Sequence, residues 1–231
     1  MILTAKEIAN MIDLSCVRTI SNRADIEEMA AAARSYGFGQ VSVLQCFIPH
    51  TIQLLKDAPG VHIVGNVSFP SGSDSTSLKV AQAKEMLAAG CHEIDMVMNI
   101  GKLRSGELDE VEADVRAVIT TVHPIPVKVI IEIMVLNREE TQQACEICLR
   151  SGAAFVKTGT GWTEKGTTFE DVALIKSIVG DRIKIKASGG IRDLDTLLGM
   201  YRLGARRFGV NLKSGKLIVD ACIATGGSVS F

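Results

Sequence analysis

The chain has 231 residues, 47% apolar and 22% charged, and its 25 basic and 26 acidic side chains leave a formal net charge of -1. That composition excludes a disordered chain, and the absence of a basic excess argues against nucleic acid as a partner. No apolar run approaches the ~18 residues of a spanning helix, and MILTAKEIAN has no basic region ahead of a long apolar stretch, so neither a membrane partner nor a secretory leader is expected, and the expected compartment is the cytoplasm.

Residues 4–10 read as a short N-terminal helix, with Thr4 and Glu7 at capping-box spacing. From there strand-like and helical stretches alternate. A β-branched run at 11–14 precedes a helical stretch at 25–36, 40–44 precedes 48–56, and 61–68 precedes 76–89. The pattern continues with 93–99 and 107–122, 127–133 and 137–151, 153–158 and 169–179, 182–188 and 193–202, then 206–210 and 214–223. Asn137 and Glu140 repeat the capping-box spacing, and Gly37, Gly90, Gly152, Gly180 and Gly204 stand where helices would end. Strict alternation implies a parallel sheet. Eight such units close most naturally into a (β/α)8 TIM barrel, here a single domain over residues 1–231, with a doubly wound open sheet as the alternative.

The strands carry a signal of their own. Strands of an open parallel sheet are buried on both faces and read as continuous apolar runs. Here several alternate. Glu93, Asp95 and Asn99 share one face, against Ile94, Met96 and Met98. Lys128 and Glu132 oppose Val127, Val129, Ile131 and Ile133, while Lys184 and Lys186 oppose Ile183 and Ile185. If the apolar faces meet the helices, a barrel interior receives Lys128, Lys157, Lys184 and Lys186 with Glu93, Asp95 and Glu132. Buried charge is costly unless it is paired or does chemistry, which makes this interior a candidate site. Solvated antiparallel strands would show the same alternation, but the helical spacers make such a sheet hard to build.

The six cysteines do not form a disulfide framework, and Cys145-x-x-Cys148 falls inside a helical stretch, where packing explains it. The four histidines show no metal-ligand spacing, so neither a metal nor a cofactor is expected.

Active sites of such barrels lie at the C-terminal ends of the strands. Lys157 and Lys186 stand near the ends of neighbouring strands, which pack ~4.8 Å apart. Mutual repulsion and desolvation both disfavour a charged lysine. An ammonium tuned down from its usual ~10.4 toward neutrality exposes the free amine that attacks a carbonyl to form a Schiff base. Lys184 has the same parity as Lys186 but lies two residues deeper. Glycine- and hydroxyl-rich loops follow these strands: Thr158-Gly159-Thr160-Gly161, Ser188-Gly189-Gly190-Ile191-Arg192, and Gly209-Val210-Asn211. Backbone N–H groups there suit an anion, and the loops after strands seven and eight are the usual phosphate position in barrels. Arg192 adds a cation able to make a charge-assisted contact.

Phe155-Val-Lys-Thr-Gly-Thr-Gly161, Lys186-Ala-Ser-Gly-Gly-Ile-Arg192, Glu93-Ile-Asp95, Asn99-Ile-Gly-Lys-Leu-Arg-Ser-Gly106 and Lys128-Val-Ile-Ile-Glu132 together resemble the deoxyribose-phosphate aldolase family, over nearly the whole chain and in order. The resemblance implies a metal-free class I aldolase on a (β/α)8 barrel, cleaving 2-deoxy-D-ribose 5-phosphate reversibly to glyceraldehyde 3-phosphate and acetaldehyde in deoxyribonucleotide catabolism. It implies that Lys157 forms the Schiff base, that Lys186 lowers its pKa and moves protons, and that Asp95 acts with a water as proton donor and acceptor. Thr158, Thr160, Gly161, Ser188, Gly189, Gly190, Arg192, Gly209 and Asn211 are the expected substrate-binding positions.

Some positions depart from the family pattern. Gly159 stands in place of a serine, Asn211 replaces a serine after the last strand, and Ile12-Asp13-Leu14-Ser15 replaces a start with histidine and threonine. Ser42-Val43-Leu44-Gln45 replaces Cys-Val-Asn-Pro, and the chain ends in Phe231 where some members carry a tyrosine linked to proton transfer. These changes spare the lysines and touch substrate recognition. The alternatives are a related lysine-dependent aldolase acting on another sugar or 2-oxo acid, and a sugar-phosphate-binding barrel without turnover. A homodimer or higher homo-oligomer is a further expectation.

Overall fold

The computed structural model describes residues 2–230. Eight parallel strands close into a barrel: β2 (Ile12–Cys16), β3 (Gln40–Val43), β4 (His62–Val67), β5 (Glu93–Val97), β6 (Val127–Ile130), β7 (Phe155–Lys157), β8 (Lys184–Ser188) and β9 (Ala205–Val210). Asp13 of β2 stands opposite Gly209 of β9, and this last pairing closes the ring and excludes the open sheet. The helices are α1 (Ala5–Asn10), α2 (Arg23–Tyr36), α3 (Ile48–Leu55), α4 (Thr76–Ala89), α5 (Ile100–Arg104), α6 (Leu108–Val122), α7 (Arg138–Ser151), α8 (Phe169–Val179), α9 (Leu194–Arg202) and α10 (Leu212–Ala224). Two short strands, β1 (Ile2–Thr4) and β10 (Ser228–Ser230), pair antiparallel outside the barrel. Among the described residues no helix is long and apolar enough to cross a membrane.

Local chemistry explains most boundaries. Thr4 with Glu7 and Asn137 with Glu140 form the expected capping boxes, and Asn22 with Asp25 and Thr168 with Asp171 form two more, using aspartate where the usual signature has glutamate. The Asn22 cap starts α2 two residues before the expected 25. Gly37, Gly90 and Gly152 end their helices in the left-handed conformation. Gly180 takes a different geometry, φ 60° and ψ -129°, and α9 is capped by Leu203, ahead of Gly204. The short α5, starting at the Asn99 cap, and the β1–β10 pair were not expected. A five-residue helix is too short for a clear period, and the pairing joins two three-residue strands from opposite ends of the chain.

The alternation read from the sequence sorts the core into two layers. Outward-facing Ile12, Leu14, Val41, Ile94, Met96, Val129, Val156 and Ile185 join the apolar layer under the helices. Inside the ring lie the charges. β6 ends at Ile130, short of the expected 133, because the chain turns at Glu132, which adopts the left-handed conformation with φ 49°. A non-glycine residue stays there only when its surroundings hold it. Cys145 and Cys148 are buried on α7, as packing residues should be. In the helical layer, Lys79 of α4 donates to Asp114 of α6 at 2.6 Å and to the Val97 carbonyl at the end of β5 at 3.2 Å.

Candidate active site

Register brings the charged residues together. Lys157 stands opposite Lys186 across β7 and β8, and Asp95 opposite Lys128 across β5 and β6. Across the interior, Asp95 Oδ2 accepts hydrogen bonds from Lys157 Nζ at 2.7 Å and Lys186 Nζ at 2.8 Å. Lys186 also donates to Asp13. Lys128 forms ion pairs with Glu93 and, at 3.2 Å, with Asp95 Oδ1. One aspartate therefore serves three lysines. Lys157 is 4% exposed, Lys186 1% and Asp95 0%.

The lysines of β7 and β8 respond differently to this setting. Burial, helped by the nearby Lys186 charge, pulls Lys157 down to about 8, against the opposing pull of Asp95 and Asp13. Burial acts on Lys186 too, but Asp13 and Asp95 outweigh it and raise its pKa above the ordinary lysine value. This corrects the expectation that proximity lowers both. The difference is Asp13, which hydrogen-bonds Lys186 and acts on Lys157 only from a distance. Burial alone would raise Asp95, but Lys128, Lys157 and Lys186 hold it well below the usual carboxylate range. Glu93, likewise buried, is held at about 2 by Lys128, Gln40 and Arg207. The resting site thus holds a charged carboxylate and a charged ammonium beside an amine drawn down to about 8.

Two expected interior charges lie elsewhere. Lys184 is exposed at the opposite end of the barrel, its ammonium 5.6 Å from the centre of the Phe155 ring. It is the first residue of β8, and two residues of strand rise carry it out of the interior. Glu132 is buried at the C-terminal end of β6, where its carboxylate accepts from the Thr160 N–H at 3.0 Å and the Thr160 hydroxyl at 2.6 Å. Asp13 is the member that charge pairing missed. The signal was there, since Asp13 between Ile12 and Leu14 has the parity that points inward.

Above the charges opens a cavity of about 160 Å³ at the C-terminal ends of the strands. Thr160 and Gly161 line it from the loop after β7. Ser188, Gly189, Gly190 and Arg192 line it from β8 and the loop beyond, and Gly209 and Asn211 from the end of β9. Its floor is close to the charged groups: a Cβ on Gly209 would come 2.5 Å from Ser188 Oγ and 3.6 Å from Lys186 Cε. A side chain there would have to displace Ser188. Thr158 is the exception among the expected residues. It is buried away from the cavity, its hydroxyl shared with Thr167 and the Ser188 backbone, so it ties β7 to β8. Asn211 Oδ1 accepts from the Ser214 N–H at 2.8 Å and caps α10. Gly159 is crowded as well: a Cβ would come 2.7 Å from both Met134 Cε and Glu132 Oε1, so Met134 fills the space a larger residue would use. Ser15, Arg18 and Trp162 also line the cavity, and sequence reasoning did not single them out.

Comparison with known proteins agrees with this geometry. The model of the DeoC/LacD family of aldolases matches residues 10–210. The chain belongs to this family. It is an aldolase, a carbon–carbon lyase. The deoxyribose-phosphate aldolase of Rhizobium meliloti (strain 1021) is 42% identical over 226 residues, covering 97% of this chain and 91% of the relative. That of Klebsiella pneumoniae is 41% identical over 210 residues, covering 90% and 84%. A solved aldolase, QR15, superposes with a TM-score of 0.88 at 35% identity, covering 95% of this aldolase and 97% of QR15. The tetrameric deoxyribose-phosphate aldolase of Aeropyrum pernix, 24% identical, shares the fold with a TM-score of 0.87, over 96% and 93% of the two chains.

Proposed function

We propose that this aldolase cleaves 2-deoxy-D-ribose 5-phosphate to glyceraldehyde 3-phosphate and acetaldehyde through a Schiff base on Lys157. The observation that carries the reading is the uneven setting of the two neighbouring lysines: Lys157 is drawn down to about 8 while Lys186 is held charged. A neutral Lys157 amine attacks C1 of the open-chain sugar, and loss of water gives an iminium. The proton of the C3 hydroxyl leaves as the C2–C3 bond breaks, its electrons entering the iminium to form an enamine and releasing glyceraldehyde 3-phosphate. Protonation at C2 and hydrolysis then free acetaldehyde and the amine. Asp95, hydrogen-bonded to both lysines, acts with a water as the proton donor and acceptor, and the charged Lys186 supplies protons and electrostatic support. The glycine loop after β8 and the end of β9, with Arg192, take the phosphate end.

The same reading treats the chain as one catalytic domain, acting in the cytoplasm in deoxyribonucleotide catabolism and assembling as a homodimer or higher oligomer. The expected C-terminal tyrosine position, Phe231, lies outside the described residues. Borohydride reduction in the presence of acetaldehyde tests the chemistry. A stable two-carbon adduct mapped to Lys157 is expected; an adduct on Lys186, or none, overturns the assignment.

A further inference from the structure

The cavity is lined by two cations, Arg18 and Arg192, and by no carboxylate among the described residues. The two are held very differently. Arg192 is exposed and has no hydrogen-bond or ion-pair partner among the described residues. Arg18, in the loop after β2, donates through Nη2 to the Gly161 carbonyl at 2.8 Å, and its guanidinium carbon lies 5.4 Å from the centre of the Trp162 ring. Trp162 is anchored in turn. Its backbone N–H donates to the Thr160 hydroxyl at 3.0 Å, Thr160 is gripped by Glu132, and the ring meets Phe69 edge-on at 6.0 Å. Arg18 therefore stands on a platform built from the loops after β7 and β4, across the mouth from its own strand.

A guanidinium carries five donors in a planar fork that matches phosphate oxygens. One nitrogen is used on Gly161, which leaves donors free. A cation already ordered by a ring face and a carbonyl loses less freedom on meeting an anion than an unpaired one does.

We propose that Arg18 is a specificity-determining residue of this site: held by the Gly161 carbonyl and Trp162, it reads the phosphate end of the substrate and sets the preference for phosphorylated over unphosphorylated sugars. This rests on the sugar-phosphate reading above.

Trp162 is the only tryptophan in the chain, so its fluorescence reports on the cavity directly. The test compares the unaltered protein with Arg18→Met and Arg18→Lys in two measurements. In the first, inorganic phosphate is titrated at constant ionic strength while Trp162 emission is followed. In the second, kcat/KM is measured for 2-deoxyribose 5-phosphate and for 2-deoxyribose. Loss of a charge-assisted fork should weaken phosphate binding by Arg18→Met about 10–100-fold and reduce the ratio of the two kcat/KM values by a similar factor, mainly through KM. Arg18→Lys should recover part of both, since it keeps the charge and loses the fork. Equal losses on both sugars would mark Arg18 as a strap that only supports the loops and overturn the proposal. So would an unchanged phosphate affinity in Arg18→Met, or no saturable response in the unaltered protein. If the unaltered protein binds phosphate through Arg18 and traps acetaldehyde but does not cleave the sugar phosphate, the substrate reading falls and the Arg18 assignment stands.

Discussion

Lys79 and Lys157 are both buried ammonium groups, each hydrogen-bonded to an aspartate, at 2.6 and 2.7 Å. Lys79 sits in the helical layer and has Asp114 as its own carboxylate, with the Val97 carbonyl as a second acceptor. Lys157 sits inside the barrel and shares Asp95 with Lys186 and Lys128. The shared Asp95 does not offset burial at Lys157, which is drawn down to about 8. Distance to the nearest carboxylate does not tell a structural lysine from a reactive one. A carboxylate of its own does: Lys79 has Asp114 and Lys186 has Asp13, while Lys157 has only the shared Asp95.

The largest test removes the lysine proposed to form the Schiff base. Lys157→Leu should lower kcat by about 10⁴-fold or more, as loss of a nucleophile does. Stability should change little, because Asp95 keeps two other lysines. Marked destabilisation on urea unfolding would mean that Lys157, like Lys79, is mainly a structural partner.

Asp95→Asn comes next. Removing a general acid–base group should cost about 10²–10⁴-fold in rate. The sign of the pH effect is the sharper readout. In the proposed mechanism only neutral Lys157 attacks, so kcat/KM of the unaltered enzyme should fall about tenfold per unit below pH 8 and level off above it. Asp95 favours the protonated lysine, so its loss should move this limb to lower pH. A limb that stays in place, or moves up, would show that Asp95 does not set the amine.

Lys79→Met strands a buried Asp114 and should destabilise by about 3–5 kcal/mol. Adding Asp114→Leu should return most of that loss, and the pH limb of the folded enzyme should stay near 8. A shifted limb would join the two regions that the comparison separates. The smallest effect is expected at Gly159. Gly159→Ser pushes a Cβ into Met134 and Glu132, at about 1–2 kcal/mol. Met134→Ala in the same chain should relieve part of it; no relief would place the conflict at Glu132.

Much of this site is legible in the primary structure for one reason: strands have period two. Lys157, Lys186, Lys128, Asp95 and Glu93 all stand inside, where alternation places them. The same rule covers Asp13, whose short strand was read for its resemblance and not for its parity. Lys184 shows where the rule ends. Parity gives the face of a strand but not the height along the barrel, and β8 begins at Lys184. Thr158 shows a second limit. Its position in a glycine-rich motif suggested a ligand contact, while its hydroxyl is taken by Thr167 and Ser188.

By itself the sequence determined the alternation of strands and helices, the barrel it implies, two helix starts through capping boxes and four helix ends through glycines, and most of the charges turned inward. These are local properties, carried by spacing and side-chain chemistry within a few residues. Only the tertiary structure decided which carboxylate each lysine meets, that Lys157 falls while Lys186 rises, and that Arg18 crosses the mouth to Trp162. Those outcomes depend on contacts between residues up to 173 positions apart, such as Lys186 with Asp13. Electrostatic coupling depends on distance and burial in the closed ring, and no local pattern encodes either.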